Sequence, residues 1–164
     1  MRFTIKIVCE MLLQIFRIDL NIRGMEKVPE DKAVFIVQNH NSYIDPIISI
    51  WAFRFLDLVF VMKKEIMQAP FVSHALYRCD FPALDRNNNR EALKTMVRTM
   101  KMIETGEHSV GVYPEGTRSK DGEIHEFKAG SFKIPEKTNC PIIVTILKNT
   151  DHIIFFTGAG ASAE

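Results

Sequence analysis

The stretch "AVFIVQNHNSYIDP", residues 33–46, carries an apolar, β-branched run straight into a cluster of turn-forming residues. Residues 33–37 are too few for a typical helix and read as a buried strand. Asn39, Asn41 and Ser42 can bond nearby backbone, and Pro46 biases Asp45 away from helical angles, so a turn follows. Residues 46–55 then read as a helix. The turn holds His40 five positions before Asp45. At about 100° per residue a helix would set these side chains roughly 140° apart, and a strand would send them to opposite faces. Only a turn brings them together. Two purposes fit: a histidine oriented by a carboxylate for proton transfer, or a plain helix start with Asp45 as N-cap and Pro46 at the first helical position.

Three more short apolar runs read as strands: "DLVFVM" at 57–62, "SVGVYP" at 109–114 and "PIIVTIL" at 141–147. Between them, "FVSHALYR" at 71–78 reads as a short helix. A longer one covers 88–106, with Asn capping choices at its start and Gly106 at its end. Strands alternating with helices predict an α/β fold with a mixed, partly parallel sheet flanked by helices. On the long helix, Leu93, Met96, Val97, Met100 and Ile103 form the side expected to face the core. Arg90, Lys94, Arg98 and Lys101 form a basic side, read as a solvated face with an anionic partner as the alternative.

The chain of 164 residues is about one domain long. Its 21 Lys and Arg against 20 Asp and Glu leave no global field for nucleic acid, so no nucleic-acid partner is expected. Cys9, Cys79 and Cys140 are odd in number and lack CxxC spacing, which argues against a disulfide framework and a cysteine zinc site and fits a reducing cytosol. His74, His108, His125 and His152 show no HExxH or paired ligand spacing, so each reads as surface or core and no metal site is expected.

Residues 1–20, "MRFTIKIVCEMLLQIFRIDL", resemble a signal peptide or anchor at first, but Lys6, Glu10 and Arg17 interrupt any run of the length a span requires. As a helix, Arg2, Lys6, Glu10, Gln14 and Arg17 make one narrow polar stripe with an apolar arc around the rest. Such a helix needs an apolar partner, either the domain core or a membrane surface on which it lies flat.

The third strand ends in "YPEGTRSKDGEIHEFKAG", residues 113–130. Glu115, Gly116, Thr117 and Arg118 come off a strand end, where α/β folds place ligand sites. Arg118 offers a planar fork suited to phosphate, and Gly116 allows close backbone approach. By itself this stretch also reads as a tight surface turn with a Glu–Arg ion pair. "ALDRNNN" at 83–89 presents Arg86 beside Asp85. Ser42 lies close to His40 but lacks a GxSxG elbow, so a serine nucleophile is not expected.

The order "NHNSYID", "FPALDR", "YPEGTRS" with "FKAG", then "CPIIVTIL" resembles the four blocks of the glycerolipid acyltransferase family, which includes the 1-acylglycerol-3-phosphate acyltransferases. The resemblance covers residues 20–150. It implies transfer of an acyl group from an acyl-CoA or acyl carrier protein thioester to a lysophospholipid acceptor, without an acyl-enzyme, a metal or a further cofactor. The leading acceptor is 1-acylglycerol 3-phosphate, giving phosphatidic acid in phospholipid biosynthesis. Glycerol 3-phosphate or another lysophospholipid is the alternative acceptor, and a non-catalytic lipid-binding protein of the same fold is the alternative class. The resemblance makes His40 the general base and Asp45 the group that orients it. It places Arg86, Glu115, Gly116, Thr117, Arg118 and, more loosely, Lys128 around the acceptor phosphate. The fourth block, 141–147, is expected to serve the core and the acyl chain.

These readings predict an amphipathic helix over 1–20, an acyltransferase domain over 21–150 and an atypical tail over 151–164. Peripheral attachment to the cytoplasmic side of a membrane through the first helix is expected, with no span and no signal peptide. The family usually continues with another strand and helix, whereas this chain closes with "DHIIFFTGAGASAE". "HIIFF" is β-like and "TGAGASAE" resembles the nucleotide loop of sirtuin deacylases, but no NAD binding is expected.

Overall fold

The structure, a computed structural model, describes residues 2–69 and 72–151. The β-like "HIIFF", the "TGAGASAE" tail and His152 lie outside the described residues. Four apolar runs become a four-stranded sheet: β1 (Phe35–Gln38), β2 (Leu58–Phe60), β5 (Ser109–Val112) and β6 (Ile142–Thr145), in the order β2-β5-β1-β6. Every pairing is parallel, with Ile36 opposite both Gly111 and Ile143. β1, β2 and β5 are buried at every residue, which is why they read as continuous apolar runs rather than alternating ones.

Parallel strands need long crossovers, and helices supply them. α2 (Asp45–Ala52) follows β1, α3 (Val72–Arg78) and α4 (Asn89–Glu104) precede β5, and α5 (Lys133–Thr138) leads into β6. α5 carried no helical pattern in the sequence because it is a turn and a half long and holds Pro135, which is tolerated in a first turn.

The run at 57–62 does not form one strand. β2 ends at Phe60, and the chain turns so that β3 (Met62–Lys63) pairs in parallel with β4 (Ala83–Leu84) as a separate two-stranded ribbon. Val61 N–H still donates to Gly111 O at 3.0 Å, tying the ribbon to the main sheet. β4 delivers Asp85 and Arg86 to the end of the sheet, where Asp85 pairs with Lys64 at 2.9 Å.

α4 starts on Asn88, whose side chain accepts from the amides of Arg90 and Glu91. Its core face is the expected one only in part: Ile103 is buried and Met100 packs on the core, Thr99 and Met102 are buried beside them, and Leu93 and Val97 are 61% and 58% exposed. The basic face is solvated, with Lys94 paired to Glu91 and Arg98 to Asp80.

The first helix, α1 (Arg2–Ile15), is shorter than residues 1–20. It closes where Arg17 takes a positive φ of 52° and Ile18 N–H bonds Leu13 O. Cys9 and Leu13 are buried against the core and α2. Ile7, Val8, Met11 and Ile15 lie on the opposite arc, are exposed and are apolar. One side of the helix therefore meets the core while another offers bare hydrocarbon. No helix among the described residues is long and apolar enough to cross a membrane.

Burial raises the Cys9 thiol to about 11. At pH 8 its thiolate is then a fraction on the order of 10⁻³, and Cys140, which is only partly buried, is expected to react first with iodoacetamide. Mass spectrometry of the native protein at early times checks the order, and labelling of Cys9 should rise steeply as the pH approaches 11.

Candidate active site

Most pieces of the site hang from the carboxyl ends of parallel strands. β1 runs into Asn39 and His40, β4 into Arg86, β5 into the 113–118 turn and β6 into Leu147. This is where open parallel sheets form their crevices.

The turn after β1 brings the two expected residues together: His40 Nδ1 lies 2.8 Å from Asp45 Oδ2. Asp45 is not an N-cap. Ile44 holds the cap position without a side-chain bond, and Asp45 is the first helical residue. Its carboxylate reaches backwards instead, with Oδ2 accepting from the amides of Asn41 at 2.7 Å and Ser42 at 2.8 Å. Asp45 is fully buried, and a buried charge is tolerable only with such donors. Behind it, Ser49 Oγ bonds both Asp45 O and Gln38 Oε1, locking the start of α2 to the end of β1.

Glu115 arrives by another route. It is 3% exposed, with Oε1 accepting from His40 N–H at 3.1 Å and Oε2 from His125 N–H at 3.2 Å. It makes no ion pair with Arg118, and the 113–118 segment is not a simple surface turn. The carboxylate is a brace between two chain segments, and Ser119 N–H completes it by donating to His40 O at 2.7 Å. Asn39 does the same on the other side, exchanging two hydrogen bonds with the backbone of Leu147 at 2.8 and 2.9 Å. The fourth block thus clamps the residue preceding His40.

With Glu115 turned inward, the outer face of the turn is cationic. Gly116 has a φ of 74°, and a Cβ there would sit 2.8 Å from Lys128 Nζ and 3.1 Å from Arg86 Nη2. Arg86 Nη1 donates to Gly116 O at 2.9 Å. Two cations thus stand over the open side of one glycine, an arrangement chemically suited to an anion. Thr117 is exposed beside this pocket. Arg118 is drawn elsewhere: its guanidinium stacks 3.5 Å over the Tyr43 ring and donates to the Tyr43 hydroxyl at 2.7 Å. Tyr43 and Tyr113 had no signal of their own in the sequence beyond standing inside the first and third blocks.

Other concave and charged features stand apart. A groove of about 1170 Å³ runs between residues 16–28 and 142–150, and none of the candidate site residues lines it. Among the described residues, Asp80, Glu107 and His108 bring ligand atoms within 4.8 Å of one another, but this group shares nothing with the His40 turn. Arg98 already donates to Asp80 there at 3.1 Å.

If Glu115 is a brace, Glu115→Ala should cost about 1–3 kcal/mol for each buried amide left unsatisfied. Urea unfolding measures it. Unchanged stability with weaker binding of a phosphorylated ligand would instead mark Glu115 as facing the ligand.

Residues 19–148 match the family model described as Acyltransferase. A 1-acyl-sn-glycerol-3-phosphate acyltransferase of Borreliella burgdorferi is 33% identical over 146 residues, covering 86% of this chain and 58% of that protein. One from Limnanthes douglasii is 30% identical over 140 residues, covering 85% and 49%. The crystal structure of the 1-acyl-sn-glycerophosphate acyltransferase PlsC from Thermotoga maritima superposes with a TM-score of 0.72 at 25% identity, covering 86% of this chain and 55% of that one. The chain spans about half the length of the curated relatives it matches. With the family model matched over most of its length and the four blocks gathered at one end of the sheet, the chain belongs to the acyltransferase family.

Proposed function

We propose that this chain moves a fatty acyl group from an acyl-CoA or acyl carrier protein thioester to the free hydroxyl of 1-acylglycerol 3-phosphate, giving phosphatidic acid. The observation that carries the reading is the 2.8 Å His40–Asp45 bond set one braced turn away from the pocket of Arg86, Gly116 and Lys128. The names of the relatives support the choice of acceptor.

An ionised carboxylate oxygen can only accept, and this assigns the proton positions. Asp45 Oδ2 already accepts two amide protons, so His40 Nδ1 faces an acceptor and carries the ring proton, leaving Nε2 as the base. The acceptor oxygen attacks the thioester carbonyl carbon as its proton passes to Nε2. Asp45 stabilises the imidazolium. The tetrahedral adduct collapses, the C–S bond breaks and the departing thiolate takes the proton from Nε2, which returns the histidine to its starting form. A positioned base is worth roughly 10² to 10⁴ in rate.

Arg86 and Lys128 would hold the acceptor phosphate against the open face of Gly116, turning the hydroxyl toward His40. Thr117 is placed to add a hydroxyl contact, and Arg118 on Tyr43 forms the rim. The 16–28/142–150 groove, with Ile18, Leu20, Ile48 and Phe53 in its wall, is the candidate bed for an acyl chain. The exposed apolar arc of α1 would lie in the headgroup boundary of a membrane, where the acceptor resides.

Purified protein in detergent, offered acyl-CoA or acyl carrier protein with lysophosphatidic acid, glycerol 3-phosphate or a neutral lysolipid, should transfer to lysophosphatidic acid. His40→Ala should lower kcat by about 10³-fold. No transfer with any pair would leave a lipid-binding protein, and full activity in His40→Ala would end the mechanism above. For the membrane contact, Met11→Glu with Ile15→Glu should weaken vesicle sedimentation by about tenfold while leaving the melting temperature near that of the parent, since both residues are exposed. Undiminished sedimentation would move the contact elsewhere.

A further inference from the structure

Tyr113 stands between β5 and the Glu115 brace, and the mechanism above does not use it. Its ring lies face to face with the His40 imidazole, centroids 3.9 Å apart and planes 17° from parallel. Phe60 of β2 is stacked on the same ring at 5.1 Å and 10°. Two parallel rings cannot share one face at these spacings, so Tyr113 is sandwiched. Phe60 in turn packs against Gly111 of β5, where any Cβ would overlap its ring. A column of three rings therefore rises from the sheet backbone to the histidine.

The column supplies what the Asp45 bond lacks. That bond fixes one ring atom, but the histidine χ2 torsion is broad, and the ring plane can swing about the bonded nitrogen. A face-to-face neighbour that is itself immobile removes the swing. The Tyr113 phenol stays neutral: burial, then the nearby Asp45 charge, push it well above the ordinary tyrosine value. A neutral π face also attracts a cation, which is what the imidazole becomes on taking the proton.

We propose that Tyr113 is a positioning residue for His40: stacked between the imidazole and Phe60 on Gly111, it holds the ring plane so that Nδ1 stays on Asp45 while Nε2 faces the acceptor hydroxyl. The inference rests on the acyl-transfer reading and names the part of the core on which its base depends.

The test uses the full chain and two variants. Tyr113→Phe keeps the ring and should retain kcat within about threefold. Tyr113→Leu removes it and should lower kcat by about 10- to 100-fold with the acceptor KM unchanged, the scale expected for a misplaced base. Equal losses in both variants, or parental kcat in Tyr113→Leu, would overturn the proposal. The unsubstituted protein gives a reading independent of folding or turnover in any variant. Ring-current shielding should place the His40 ring protons upfield of those of the exposed His74, and resonances without that displacement would overturn the stack. Full activity in His40→Ala would remove the acyl-transfer reading itself, whereas an inactive His40→Ala beside a fully active Tyr113→Leu would remove only this inference.

Discussion

One oxygen atom organises the region around the candidate site. Asp45 Oδ2 receives the His40 ring and the amides of Asn41 and Ser42, all within 2.8 Å. A carboxylate with no exposure carries a desolvation cost that only such donors offset. The turn cannot open without stranding that charge, and the charge cannot stay buried without the turn. The same contacts that make the chain fold at residues 39–45 orient the His40 imidazole.

Around this pair the protein repeats one device, a polar side chain bonding the backbone of a distant segment. Glu115 holds the amides of His40 and His125, and Asn39 holds the backbone of Leu147. Loop ends that would otherwise fray at the carboxyl edge of the sheet are cross-tied in this way. Arg86 and Lys128 are left facing the open side of Gly116. Burying Glu115 thus fixes both the rigidity of the turn and the sign of its outer face.

Much of this was legible from residue order. The strand–turn–helix at 33–46, the alternation of elements and the need for a turn between His40 and Asp45 follow from periodicity and turn chemistry, and the four blocks point to the family. What was not legible concerns direction. Spacing says Asp45 sits at a helix start, but not that its carboxylate bonds backwards rather than capping forwards. The position of Glu115 inside the third block does not tell whether it faces a ligand or the backbone of His40. Periodicity assigns Leu93 and Val97 to the same face of α4 as Met100 and Ile103 without telling that the first two stay exposed. An aromatic residue before Pro114 reads as ordinary core, and nothing local reveals that its ring faces the histidine.

The split of residues 57–62 between two sheets has a consequence for how such a site can vary. His40 belongs to the four-stranded sheet, whereas Arg86 rides on the β3–β4 ribbon, which Val61 joins to β5. His40 and Arg86 are thus mounted on separate sheets, tied together through Val61 and through the Arg86 bond to Gly116 O. Insertions in the ribbon can lengthen or tilt the cation's reach while the histidine, locked into the main sheet, stays where it is. A change in the surface ribbon would then alter what lies beside Gly116 without disturbing the buried carboxylate.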